Sequence, residues 1–169
     1  IRPASHGGRV ACRLLDPCAG AGAALRQLAD AVGGETYGVE LESDRYEEAA
    51  TLLDHALPGS ALSARIEEGA FSCLFLNPPY DEDMEAKRLE HTFLTATTKY
   101  LRPGGLLVYI VPQRRLVTSA RYLAGHYCEL ACYRFPDDEY EAFHQVVRAW
   151  AATASTARRP SGERTGSPR

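Results

Sequence analysis

The chain has no apolar stretch near the roughly 18 residues that a membrane span needs; its longest strand-like apolar run is Leu106 to Val111. It opens without the basic, apolar, small-residue order of a secretory leader. Its five cysteines, at 12, 18, 73, 128 and 132, form no Cys-x-x-Cys pair. A membrane protein, a disulfide framework and a zinc ribbon are set aside on these grounds, and a cytoplasmic location is expected. Missing too is the Gly-Lys-Ser/Thr of a phosphate-cradling loop, and His6, His55, His91, His126 and His144 are scattered without metal-ligand spacing. An initiator methionine is absent: the chain begins at Ile1 and its only methionine is Met84. A fragment or processed product is therefore expected, with an N-terminal element missing.

What is present is enough for one globular domain. The 169 residues are 45% hydrophobic and 24% charged, a length that buries about 70% of the unfolded surface around a single core. The net charge of -3 is unevenly spread. From Arg158 onward four arginines stand against one glutamate, a local +3, which leaves -6 for residues 1 to 157. An acidic body argues against a broad phosphate-binding face, although Arg114, Arg115 and Arg121 could form a local basic patch. The last stretch, ASTARRPSGERTGSPR, has no apolar period, and such composition cannot offset the entropy of ordering. The expected organisation is a folded domain over 1–153 and a disordered tail over 154–169.

Along the body, strands and helices alternate. CRLLD (12–16) reads as a strand that enters PCAGAGAAL, after which Leu25, Leu28, Ala29 and Val32 recur at helical spacing. Gly33 and Gly34 end that helix, and TYGVE (36–40) is a second strand. Asp44 and Glu47 are placed to form a capping box for a helix reaching about Leu57. ALSARI (61–66) is a possible short strand and FSCLFL (71–76) a stronger one. Leu89, Phe93, Ala96 and Tyr100 share a helical face that runs into RPGG, read as a stop before the strand LLVYIV. A weaker helix is expected over 114–124. CELACYRF and HQVVRAWAA are strands joined by PDDEYEAF, too short a link for a crossover helix, so they should pair antiparallel. The sum is an α/β domain: an open, mostly parallel, seven-stranded sheet with one antiparallel strand near its edge and helices on both faces.

In such sheets ligands sit beyond the carboxyl ends of the strands, and three chemically loaded stretches fall there: DPCAGAG, Glu40 and LNPPYD (76–81). Gly20 and Gly22 let backbone approach a ligand at a strand-to-helix turn. Glu40 follows Gly20 by 20 residues, the separation at which an acid ending the second strand accepts from ribose hydroxyls. A ribose-bearing cofactor is indicated. The third glycine of a dinucleotide fingerprint is replaced by Leu25, which weakens a nicotinamide reading. Pro78 and Pro79 have no N–H, so a neighbouring carbonyl is left to accept from a ligand, and their fixed φ sets the directions of Asn77 and Tyr80. One amide oxygen from Asn77 and one main-chain oxygen can hold both protons of an NH2 group, while the Tyr80 ring offers a stacking face. The constellation suits a planar amine or amide.

With DPCAGAG, Glu40 and LNPPYD in this order, the chain resembles the class I S-adenosylmethionine-dependent methyltransferases, in particular the amino-methyltransferase branch that includes adenine-specific DNA methylases. It is similar to a bacterial and mobile-element group of uncharacterised type that carries DPCAG, LNPPYD and a late FPDDEYEAF-like segment. The resemblance implies a Rossmann-like, doubly wound fold and S-adenosyl-L-methionine as cofactor. It implies that Asp16, Pro17, Cys18, Ala19, Gly20 and Gly22 line the methionine part, that Glu40 with Leu41 holds the ribose, and that Asn77, Pro78 and Tyr80 hold the target amine, Asn77 also bordering the cofactor. The implied acceptor is a DNA adenine stacked on Tyr80 after leaving its helix, with a ribosomal RNA base, a protein glutamine amide or a non-catalytic relic as alternatives. Two departures stand out. The acid that the family places near the end of its third strand is replaced here by GSALSARI, with Ser60, and the stretch that precedes the first strand and packs over the cofactor has no counterpart. No target-recognition domain of useful size is present, which implies a separate recognition subunit or domain for any sequence-specific DNA reading.

Overall fold

The computed structural model describes residues 12–79, 89–134 and 145–152. Expectations that fall on the first eleven residues, on Tyr80, on PDDEYEAF or on the 154–169 tail lie outside them. The described elements run β1 (Arg13–Asp16), α1 (Ala23–Val32), β2 (Glu35–Glu40), α2 (Ser43–Leu52), β3 (His55–Pro58), β4 (Phe71–Leu76), α3 (Leu89–Thr97), β5 (Leu101–Pro112), α4 (Leu116–His126), β6 (Tyr127–Arg134) and β7 (Gln145–Ala152). The strands form one seven-stranded sheet in the order β3-β2-β1-β4-β5-β7-β6. All pairs from β3 to β5 are parallel, and β7 is antiparallel to both β5 and β6. The chain winds outward from β1 to β3 and then returns to lay β4 on the other side of β1, so strand order reverses between β1 and β4. Among the described residues no helix is long and apolar enough to cross a membrane.

Side chains alternate across a strand, and the two faces of this sheet bury different sets. Leu14, Cys73, Phe75 and Ile110 pack with Leu25 and Ala29 of α1, Ala49 of α2 and Leu53. On the other face Leu15, Leu74, Leu76, Leu107, Tyr109 and Val111 pack with Phe93 and Leu94 of α3 and with Leu116 and Leu123 of α4. Full burial of one such leucine contributes about 1.5–3 kcal/mol, so this double alternation is the main force holding helices to both faces.

Local chemistry shifts several expected boundaries. Helix α2 stops at Leu52 rather than near Leu57, because Asp54 is drawn to β2: its carboxylate accepts from the Thr36 N–H (2.8 Å) and hydroxyl (2.7 Å), while its own N–H donates to Thr36 Oγ1 (2.8 Å). That lock turns the chain into β3, which pairs with β2 from Tyr37↔His55 to Glu40↔Pro58. The α2 cap is Glu42, whose carboxylate accepts from the N–H groups of Asp44 (3.1 Å) and Arg45 (2.9 Å), so the Asp44–Glu47 box does not form. With β3 in the third-strand place, ALSARI is no strand; it begins in turns, and Ala61 and Ile66 are buried there. The RPGG segment does not stop the chain either. It lies within β5 as an irregularity: Phe71↔Leu101 is followed by Cys73↔Leu106, so five steps on β5 face two on β4. Helix α3 ends at Thr97, and Tyr100 sits on a following 3-10 turn. A further 3-10 turn, Gln113–Arg115, leads into α4.

Candidate functional site

A cavity of about 470 Å³ opens beyond the carboxyl ends of β1, β2 and β4, beside the point of strand-order reversal where open α/β sheets bind ligands. Its wall begins with Pro17, Cys18 and Gly20 from the β1–α1 turn. Glu40 and Leu41 border it from the end of β2, and Asn77, Pro78 and Pro79 from the end of β4. Six of the nine residues expected to meet a cofactor thus lie on one wall. Asp16, Ala19 and Gly22 are not among the lining residues; their hydrogen bonds brace the turn and the wall beside it. The Asp16 carboxylate accepts from the Cys18 N–H (2.8 Å), Ala19 N–H donates to Val39 O (3.0 Å), and Gly22 N–H donates to Ala19 O (2.9 Å). Asn77 and Pro79 are exposed and Pro78 is buried. Tyr80, expected to stack on the acceptor, lies outside the described residues.

Glu40 is the hub of this wall. It is 7% exposed, and its Oε2 accepts from Gly20 N–H (2.8 Å), while Oε1 accepts from Glu42 N–H (3.0 Å) and from Arg45 Nη2 (3.0 Å). A carboxylate has about four acceptor positions, so these bonds leave room for a further donor. The bond from Gly20 across 20 residues explains the spacing seen in the sequence: the acid fixes the glycine turn. Gly20 adopts φ +55, with nothing within 4 Å of the place a Cβ would take, a conformation that favours glycine. Gly22, at φ +86, caps α1, and a Cβ there would come within 2.9 Å of Leu53 Cγ.

Burial raises the Asp16 carboxyl to about 7; the Cys18 N–H opposes that rise and the Glu40 charge adds to it. Burial also pushes the Cys18 thiol well above its ordinary range, followed by the charges of Asp16 and Glu40. Cys18 is therefore a neutral lining group and no nucleophile. The Glu40 carboxylate beside an apolar wall of Val39, Ala61 and Phe93, joined by Asp16 where that is ionised, favours a ligand that carries positive charge, and the volume lies within the roughly 300–1,000 Å³ of small-molecule sites. The residues present fit a cationic, hydroxyl-bearing ligand of nucleoside size.

Sequence reasoning missed several lining residues. Arg45, Gly59 and Ala61 were not singled out, nor was Phe93 beyond its helical period. Arg45 follows Glu40 by five residues, a spacing that could have drawn attention to it. Ser60, where the sequence lacks the expected acid, does line the cavity, and Gly59 N–H beside it donates to Glu40 O (2.8 Å). Gly38 was missed because it is not a lining residue: a Cβ on it would meet Ala19 Cβ at 2.9 Å and Leu53 Cδ1 at 2.5 Å, so it lets the β1–α1 turn settle onto β2.

Solved structures share this architecture. A proposed class I S-adenosylmethionine-dependent methyltransferase from Listeria monocytogenes superposes with a TM-score of 0.65 at 14% identity over 92% of this chain and 58% of its own. A predicted O-methyltransferase from Agrobacterium tumefaciens gives 0.62 at 18% identity, over 85% and 74%. TYW2 from Pyrococcus horikoshii, in complex with MeSAdo, gives 0.63 at 12% identity, over 88% and 60%. At these identities the likeness establishes the fold, that of the S-adenosylmethionine-dependent methyltransferases. No functionally curated protein matches the sequence. Residues 2–162, nearly the whole chain, match one family, and the chain belongs to it: the uncharacterised methyltransferase family DUF6094.

Proposed function

We propose that this chain is an S-adenosylmethionine-dependent N-methyltransferase acting on a planar exocyclic amine, with the 6-amino group of adenine in DNA as the first acceptor. The observation that carries the reading is the meeting of Gly20, Glu40 and Asn77 on one cavity. Bound there, S-adenosylmethionine would supply a methyl group activated by its sulfonium charge. Glu40 has an acceptor position for a ribose hydroxyl, the β1–α1 turn gives backbone approach beside Gly20, and the Glu40 carboxylate, joined by Asp16 where that is ionised, stabilises positive charge.

On the acceptor side, the Asn77 side-chain oxygen accepts from one N–H of the amine and a main-chain carbonyl beside Pro78 and Pro79 from the other. A planar amine nucleophile is weak because its lone pair is delocalised. Holding both protons turns that lone pair toward the methyl carbon and offsets the charge that develops on nitrogen. The bound cofactor would give up its methyl group to the amine nitrogen and leave as the neutral thioether, and the surplus amine proton would leave to solvent. Tyr80 would supply the stacking face for the base.

Fold alone does not choose the acceptor; the order Asn-Pro-Pro-Tyr at the end of β4 is what favours a planar nitrogen. A ribosomal RNA base or a glutamine amide would fit the same two acceptors, and any sequence-specific DNA reading would need a separate recognition partner. The deciding experiment offers labelled S-adenosylmethionine with separate pools of unmethylated DNA, RNA and ribosomal protein. Label should enter DNA as N6-methyladenine. Asn77→Ala should lose transfer by about a hundredfold or more while its S-adenosylhomocysteine affinity stays near wild type. No transfer to any pool, or a variant that loses the cofactor together with transfer, would overturn the reading.

A further inference from the structure

Glu40 is not open to a ribose in the simplest way. A ribose offers a pair of neighbouring hydroxyls, and a carboxylate with an open position on each oxygen can accept from both. At Glu40 that arrangement is blocked. Oε1 already accepts from Glu42 N–H (3.0 Å) and from Arg45 Nη2 (3.0 Å), which uses both of its lone pairs, whereas Oε2 accepts from Gly20 N–H alone (2.8 Å). The open acceptor position is therefore on Oε2, beside the glycine turn. One hydroxyl is provided for, and its neighbour needs a donor from another group.

Arg45 stands where that donor is needed. It lines the cavity together with Glu40 and Leu41, and it is held at both ends. Its main-chain N–H donates to Glu42 Oε2 (2.9 Å) in the first turn of α2, its Nη2 reaches Glu40, and its Nε lies 3.7 Å from Glu42 Oε2. The guanidinium is a rigid planar fork with more N–H groups than these contacts use. Its side chain is 58% exposed, so donors remain for a ligand at the cavity rim. Two carboxylates flank its charge, which lets it meet a cationic ligand without net repulsion. The nearby main-chain donors are spent: Gly20 and Glu42 N–H on the Glu40 side chain, and Gly59 N–H on Glu40 O (2.8 Å). Ser60 is the competing side chain, since its hydroxyl accepts from Leu62 N–H (3.3 Å) and keeps its own proton to donate.

We infer that Arg45 is a cofactor-binding residue that shares the ribose with Glu40: Glu40 Oε2 accepts from one hydroxyl, and the Arg45 guanidinium donates to the oxygen of the other. The inference rests on the reading of the cavity as the S-adenosylmethionine site and deepens it by dividing the sugar between two residues. It makes the two hydroxyls different in kind. The one at Glu40 must have a proton to give, and the one at Arg45 needs an oxygen to receive. A lysine at position 45 would keep the charge but lose the fork that serves Glu40 and the sugar at once.

The test is a calorimetric titration of the full chain with S-adenosylhomocysteine and with its 2′-deoxy and 3′-deoxy analogues. Wild type should bind each analogue about tenfold or more weakly than the parent, the loss expected of one hydrogen bond to a charged group. Arg45→Ala should weaken the parent by about tenfold as well. Against one analogue, the one that lacks the hydroxyl Arg45 meets, the same substitution should cost less than about threefold, because that contact is already gone. Against the other it should cost the full factor. Arg45→Lys should restore part of the affinity for the parent, and Ser60→Ala should shift all three ligands by one small factor. Equal losses on all three ligands in Arg45→Ala would mean that the arginine only holds Glu40 in place, and would overturn the sharing. Parent affinity unaltered in that variant would overturn it too. So would a cycle in which Ser60 rather than Arg45 couples to a hydroxyl, since the donor would then be the serine. Wild type that fails to bind S-adenosylhomocysteine sinks the cofactor reading and the inference together; wild type that binds it without coupling to Arg45 sinks the inference alone.

Discussion

At the scale of single residues, the site is built from groups with two tasks. Glu40 ties Gly20, Glu42 and Arg45 together and still has an acceptor position for a ligand, so its spacing from the glycine turn has a structural cause as well as a chemical one. Asp16 works from behind the wall, and its burial has a consequence for stability. Its carboxyl rises from an ordinary 3.8 to about 7 on folding. Between those values the folded chain holds a proton that the unfolded chain has released, so this group's contribution is most favourable below about pH 4 and is lost as pH rises toward 7. The full effect is on the order of 4 kcal/mol. Asp16→Asn keeps an acceptor for the Cys18 N–H and removes the buried charge. In urea unfolding without ligand, the variant should be more stable than wild type at pH 8, with the gap shrinking at pH 5; a gap independent of pH would contradict this account. Pro17, Cys18, Gly20, Glu40, Leu41 and Asn77 were legible as cavity residues because their chemistry is local to a motif. Gly38 and Arg45 were not, since their roles depend on which element packs beside them.

At the scale of elements, the legible features were those with strong apolar periods or glycine stops: β1, α1 with its Gly33 cap, β4, the alternating half of β5, and the antiparallel end of the sheet. β3 escaped notice because it is a four-residue edge strand with exposed ends, His55 and Pro58, and no alternation to detect; the Asp54–Thr36 lock that creates it joins residues 18 apart. RPGG misled for a related reason. A glycine pair usually ends an element, yet here it lies in an irregular stretch of strand, with Gly104 at φ +73 and Gly105 so close to β4 that a Cβ would lie 3.1 Å from Ser72 O. The packing of β2 against the β1–α1 turn gives a prediction at this scale. Gly38→Val puts a branched side chain where even a Cβ would overlap Ala19 and Leu53, forcing the turn off β2. Overpacking of this kind costs about 1–3 kcal/mol of stability. The displaced turn should also weaken S-adenosylhomocysteine about tenfold or more, although no lining residue has changed. Calorimetric titration beside urea unfolding reads both, and unaltered affinity would show that the turn does not depend on its seat.

At the scale of the whole molecule, the proposed reaction depends on strand order more than on any one motif. Reversal between β1 and β4 brings the ends of elements 20 to 60 residues apart in sequence onto one cavity. The motifs implied that meeting through a resemblance, but composition could not supply the order in which the strands lie. A ligand that bridges the ends of β1, β2 and β4 must stabilise the fold as a unit, because it binds only where all three are in register. At a concentration about a hundredfold above its dissociation constant, S-adenosylhomocysteine should add about 2.7 kcal/mol, which for a chain of this size is a rise of roughly 5–10 °C in Tm. At that same concentration Asn77→Ala should keep the rise, since in the proposed reaction its amide meets the acceptor, and Gly38→Val should lose much of it. Scanning fluorimetry across the ligand series separates the cases. A wild-type Tm that does not move with ligand would mean that the cavity formed by this strand order does not hold the cofactor.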